Sequence, residues 1–210
     1  MNLESCFPFL TEKGHVISLV GGGGKTTLMY AMASCCARKD WKVLATTTTH
    51  IMKPPGGVWA DNNAARDALW ADGSYAVAGS AAPEGKLTVP PAQLLTRWME
   101  LADLTLIEAD GAKRMPCKAP AVHEPVILPQ CDTVLAVAGL SALGRPLEKV
   151  CFRAELAAGL LGAPLDAALT PELLAELLAS EQGGRKLVGS RAFYAVLNQA
   201  DTPDSQLLGK

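Results

Sequence analysis

The sequence predicts an α/β domain of the three-layer αβα kind built on a mainly parallel sheet, and three observations predict it. Short runs rich in Val, Ile and Leu alternate with helical patterns. Most of those runs are apolar on both faces, as strands covered by helices on two sides must be. A glycine run joins the first such strand directly to the first helix. Strands are expected at His15–Val20, Val43–Thr46, Tyr75–Ala78, Leu104–Glu108, Thr133–Ala138 and Phe193–Leu197. Helices are expected at Lys25–Arg38, Ala64–Trp70, Ala92–Leu101, Lys149–Leu161 and Pro171–Ser180, the last with Thr170 as N-cap and Pro171 at its first position. Residues 1–210 read as a single domain. Two Pro- and Gly-rich stretches, Lys53–Val58 and Ser80–Pro91, read as surface loops or a small lid within an excursion at 53–91.

The glycine run reads V-G-G-G-G-K-T-T from Val20 to Thr27, between a strand and a helix, which is the layout of a phosphate-binding P-loop. Gly21, Gly22, Gly23 and Gly24 let backbone N–H groups curl around a phosphate with no Cβ in the way. Lys25 supplies a point charge, Thr26 a hydroxyl for Mg²⁺, and Thr27 a further N–H at the positive end of the helix. Leu19 stands where the motif's first glycine would be. A turn that merely joins strand to helix would not need the G-K-T-T ending.

Composition narrows the classes. With 210 residues and 49% hydrophobic content, one large core can be buried. A net charge of −2 gives no basic field for nucleic acid. The six cysteines show no C-x-x-C spacing and suit a reducing compartment. The start lacks a basic segment followed by an apolar one, and no run of about 18 apolar residues appears. A cytoplasmic protein that neither spans a membrane nor binds nucleic acid is expected.

In an open parallel sheet, ligands lie beyond the carboxyl ends of the strands. After the second strand comes Thr46–Thr49 and His50, where Thr48 could join a Mg²⁺ shell; threonine is also simply good strand sequence. The fourth strand ends I-E-A-D-G-A-K-R. There Glu108 can hold Mg²⁺ as a Walker B carboxylate does, with Asp110 competing for that role and the Gly111 amide facing a γ-phosphate. Either acid could instead be a turn cap. Lys113 and Arg114 could stabilise a transferring phosphoryl group or grip an anionic substrate, and Lys118 less so. His123 and Glu124 could touch substrate or metal, though neighbours in sequence normally point apart. Arg145 falls near the same edge, with Arg153 a weaker companion on the helix after it. The last strand ends Asn198-Gln199-Ala200-Asp201, where GTP-binding proteins carry N-K-x-D; Asn198 and Asp201 could hold guanine, or make Asx turns. Only nine residues follow, fewer than such a motif leads one to expect.

Taken together, V-G-G-G-G-K-T-T, T-T-T-T-H, I-E-A-D-G-A-K-R-M-P-C-K-A-P, H-E-P-V-I and N-Q-A-D resemble the YqeC family. The resemblance implies an accessory factor in maturation of selenium-dependent molybdenum hydroxylases, acting on that enzyme or its cofactor. It also implies a P-loop fold of the kind found in metal-insertion GTPases and related ATPases. Some of those carry a second lysine before the glycines, where Val20 stands here. The reading that follows is a GTP- or ATP-dependent NTPase, with Lys25, Glu108, Asp110, Lys113 and Arg114 catalytic and Thr26, Glu108 and Thr48 on Mg²⁺. The alternatives are a kinase or nucleotidyl transferase acting on a small anionic, molybdenum-cofactor-like acceptor, or a scaffold that binds nucleotide without turnover. A selenium-relaying thiol at Cys117, its pKa lowered by the surrounding cations, is a further reading, with a buried or free structural cysteine the favoured one.

Overall fold

The computed structural model describes residues 3–208. Helix α1 (Leu3–Cys6) precedes strand β1 (His15–Gly21), helix α2 (Lys25–Ala37) and strands β2 (Val43–Thr47), β3 (His50–Met52) and β4 (Trp59–Ala60). Then come α3 (Asn63–Ala71), β5 (Ala76–Ala78), β6 (Ser80–Ala82), β7 (Lys86–Thr88), α4 (Ala92–Leu101) and β8 (Leu104–Glu108). The remaining elements are β9 (Cys117–Lys118), β10 (Thr133–Gly139), α5 (Leu147–Val150), β11 (Cys151–Phe152), α6 (Ala154–Leu161), α7 (Pro171–Ala179), β12 (Ala192–Asn198) and α8 (Pro203–Leu208). Seven strands form a helix-flanked sheet of order β12-β10-β1-β8-β2-β5-β4. The pairs β12–β10, β8–β2, β2–β5 and β5–β4 are parallel, so the expected α/β fold is the one found. Among the described residues no helix is long and apolar enough to cross a membrane.

The chain forms two compact units. The first holds residues up to Ser18, Thr26–Glu108 and Leu128–Asp132; the second holds Leu19–Lys25, Ala109–Ile127 and the chain from Thr133 onward.

In the first unit, all five residues of β2 are buried and pair with β8 from Val43↔Leu104 to Thr47↔Glu108. Helix α4 buries Leu95, Trp98 and Met99, an i, i+3, i+4 stripe, in a cluster with Leu44, Ala76, Ala78 and Ile107. Arg66 is buried there, its guanidinium 5.0 Å from the Trp70 ring and 5.1 Å from that of Trp98 and bonded to Asp67 and Asn63. All four tryptophans, Trp41, Trp59, Trp70 and Trp98, belong to this unit. The stretch Ser80–Pro91, expected as loop or lid around a short extended piece, contributes β6 and β7 to a three-stranded antiparallel sheet with β3. Its fully buried Leu87 supplies the apolar anchor that the prolines and glycines around it conceal in the sequence.

In the second unit, every residue of β10 is buried and pairs with β12 from Thr133↔Ala192 to Gly139↔Asn198. β12 is an edge strand whose Tyr194 and Leu197 are exposed. Thr170 caps α7 through the Leu173 amide, with Pro171 first in the helix, as expected. The helix expected over Lys149–Leu161 is broken. α5 ends at Val150, Cys151 and Phe152 pair in parallel with Cys117 and Lys118, and Arg153 takes a left-handed φ of 62° before α6 begins. Strand pairing and the ion pairs of Arg153 override a sequence whose helical propensity is good throughout.

Candidate functional site

In the second unit the glycine loop leaves β1 against the end of β10. A Cβ at Gly21, where φ is 92°, would sit 2.3 Å from the Val137 carbonyl oxygen; one at Gly23, where φ is 71°, would sit 2.2 Å from the Gly139 nitrogen. Only glycine permits both the close approach and the left-handed backbone. The amides are used more selectively than the sequence suggests. Gly21 donates to Asp110 Oδ2 at 3.0 Å, Gly22 to the Val137 carbonyl at 2.8 Å and Gly23 to the Met115 carbonyl at 3.0 Å. These three N–H groups shape the loop. Helix α2 begins directly after the loop, at Lys25.

The segment after β8 straps this loop from behind. Ala109 donates to the Leu19 carbonyl at 3.0 Å, Asp110 accepts from Gly21, Met115 accepts from Gly23, and the Pro116 carbonyl accepts from Gly139 at 2.7 Å. Along the strap runs a row of buried charges. Lys25 Nζ donates to the Gly21 carbonyl at 2.5 Å and lies 3.0 Å from Asp110 Oδ1. Asp110 Oδ2 is 3.0 Å from Lys118 Nζ, which also bonds the Gly111 carbonyl at 2.7 Å and Glu124 Oε2 at 2.7 Å. Arg153 then grips Glu124 with two guanidinium nitrogens, at 2.6 and 3.1 Å. Burial pushes the Glu124 pKa up, but hydrogen bonds from Lys118 and Arg153 outweigh it and hold the carboxyl at about 2.

In the first unit, Thr26 Oγ1 donates to Glu108 Oε2 at 2.5 Å. Thr47 Oγ1 donates to the Glu108 carbonyl at 2.9 Å and the Thr48 amide to the same oxygen at 3.1 Å, so the threonine run lies beside the end of β8. Thr46 Oγ1 is committed to the Ala78 carbonyl at 3.0 Å. Thr46 and Thr47 thus serve the fold, and the Thr49 amide donates to Thr47 Oγ1 at 3.0 Å. His50 is exposed on β3 opposite Thr88. One helical turn beyond Thr26, Tyr30 stacks on Tyr75 with ring centroids 5.9 Å apart. Burial, and secondarily the charge of Glu108, push its pKa above the ordinary phenol value.

A hydroxyl and a carboxylate converging in this way are hard oxygen ligands that fit Mg²⁺. Among the described residues no cluster of three His, Cys, Asp or Glu side chains forms a metal site.

A family model described as "YqeC protein" matches residues 17–155, which include the glycine loop, the threonine run, the strap and Arg153. The chain belongs to the YqeC family. It is 35% identical over 182 residues to the "Uncharacterized protein YqeC" of Escherichia coli (strain K12), across 82% of this chain and 71% of that relative. No solved structure matches the chain.

Several residues of this YqeC chain stand differently from their sequence reading. Lys113 and Arg114 are both exposed and both left-handed, with φ of 47° and 63°; the Lys113 ammonium lies 5.2 Å from the Phe152 ring centroid. Lys118, ranked below them, is instead fully buried at the centre of the charge row. Arg153, read as a peripheral companion, ends that row. His123 is exposed while Glu124 is buried, so the two do point apart. Cys117 is the buried cysteine of the favoured reading and not the activated thiol: its hydrogen bond with Cys151 and its burial push its pKa up, and its thiol donates to the Val150 carbonyl at 3.4 Å. Cations nearby do not make it a ready nucleophile. Asn198 Nδ2 donates to the Gly23 carbonyl at 2.7 Å, bracing the loop. Gln199, at φ 58°, accepts from the Ser141 hydroxyl at 2.5 Å, and Asp201 and Arg145 are exposed.

Proposed function

We propose that this YqeC chain binds GTP or ATP together with Mg²⁺ and hydrolyses it, as an accessory factor in maturing selenium-dependent molybdenum hydroxylases. The observation that supports the nucleotide reading most is the Lys25 ammonium, fixed by Asp110 and the Gly21 carbonyl at the start of a helix that follows a glycine loop. Lys25 and the first-turn amides of α2 bind the β- and γ-phosphates. Thr26 and Glu108 would hold Mg²⁺, which neutralises charge on the phosphate oxygens. Thr48 and Thr49 orient water. Asp110, engaged by Lys25, Lys118 and Gly21, positions the lysine rather than taking a proton. Lys113 and Arg114, exposed and with strained backbone, act on the transferring group or on a partner. Asp201 is the candidate reader of guanine, Asn198 being committed to the Gly23 carbonyl, and adenine stays the alternative. The accessory role rests on family membership.

Calorimetric titration of Mg-GTP and Mg-ATP into wild type and Lys25→Ala tests the reading. Binding should weaken on the order of ten- to a hundred-fold in the variant, as loss of a charged hydrogen-bond donor does. Absence of binding by wild type would overturn it. Product labelling that required an acceptor would favour the transferase alternative. The maturation role predicts that cells carrying only Lys25→Ala make selenium-dependent hydroxylase of reduced activity.

A further inference from the structure

The charges behind Lys25 alternate strictly: Lys25, Asp110, Lys118, Glu124, Arg153, each within 3.0 Å of the next. The Lys118 side chain is 0% exposed, Asp110 2% and Glu124 9%. A row of this kind is a poor way to stabilise a fold, because desolvating the charges offsets their attraction and apolar residues of similar volume do as well. What a charge row supplies that apolar packing does not is position. We infer that Lys118, Glu124 and Arg153 are positioning residues for the phosphate-gripping lysine, holding Asp110 and through it the Lys25 ammonium. The inference deepens the nucleotide reading and rests on it for the ligand, while the hold on Lys25 stands on geometry alone.

Two features of the backbone support it. The helix expected across residues 149–161 is interrupted at Arg153, and the left-handed conformation there costs about 1–2 kcal/mol. That interruption places the guanidinium two-pronged on Glu124. Lys118 is anchored three times, to the Gly111 carbonyl within the strap and to Asp110 and Glu124, so Asp110 is braced from the side away from Lys25. A lysine has a flexible four-carbon stem. Fixing it beforehand lowers the entropy lost when a phosphate is gripped.

The test labels lysine ε-carbons and assigns the Lys25 resonance by its loss in Lys25→Ala. Glu124→Gln, which keeps size and removes charge, is expected to move that resonance and to weaken Mg-GTP or Mg-ATP binding about ten-fold. Arg153→Gln is expected to do the same to a smaller degree, and Arg153→Lys to restore most of it. An unmoved Lys25 resonance in folded Glu124→Gln overturns the inference whatever the affinity does. A moved resonance with unchanged affinity overturns the positioning role. A moved resonance in a protein whose wild type binds neither triphosphate supports the hold on Lys25 and sinks the nucleotide reading instead. Should Glu124→Gln fail to fold, Arg153→Gln reads the same effect from the partly exposed end of the row.

Discussion

Two strand ends of this chain carry similar sequence signals and have been built very differently. The segment after β8, from Ala109 to Lys118, is bound to the glycine loop by successive backbone and side-chain bonds, and two of its charged groups are almost wholly buried. The segment after β12 follows an edge strand; Asn198 makes one bond to the loop and Asp201 stands in solvent. Polar residues after a strand are therefore not equivalent evidence of a site. A carboxylate with two buried ammonium partners has a geometry that solvent cannot replace, whereas an exposed one can turn freely.

The contrast can be broken most forcefully at Lys118. Lys118→Met leaves Asp110 and Glu124 each short of a cation in a buried setting, and should cost about 3–5 kcal/mol in urea denaturation; a loss below about 1 kcal/mol would show that water reaches the row. Acid sharpens the same end. Because the Glu124 pKa is depressed from 4.5 to about 2, its contribution to stability is complete above pH 4.5 and is lost as pH falls toward 2. Denaturation midpoints measured across that window should fall steeply in wild type and more gently in Glu124→Gln. At the other strand end, Asn198→Ala removes one hydrogen bond and should cost about 1 kcal/mol. Asp201→Ala should change stability by less than about 0.5 kcal/mol. If Asp201 reads guanine, that same variant narrows the preference of GTP over ATP; an unaltered ratio would reduce it to a turn residue.

Much of the fold was legible because its signals are local. The run Leu104–Glu108 was bounded correctly, and Thr170-Pro171 announced α7, since each depends on neighbours in sequence. The glycine loop was legible for the same reason. The charge row was not, because Arg153 reaches Glu124 across 29 residues and no periodicity encodes that meeting. The same contact, with the strand pairing of Cys151 and Phe152, explains the break within the helix expected at 149–161, where tertiary pairing prevailed over local propensity. Lys118 was undervalued because a lysine among prolines looks like solvated loop, and only the two acids around it reveal a buried one.

Placing every tryptophan in the first unit gives the molecule an optical asymmetry. Indole emission reports Trp41, Trp59, Trp70 and Trp98, and so the surroundings of β2, α3 and α4, while ellipticity samples helices of both units. Melting followed by the two signals becomes a comparison of the units themselves: coincident midpoints mark a single cooperative transition, and separated ones give each unit its own stability.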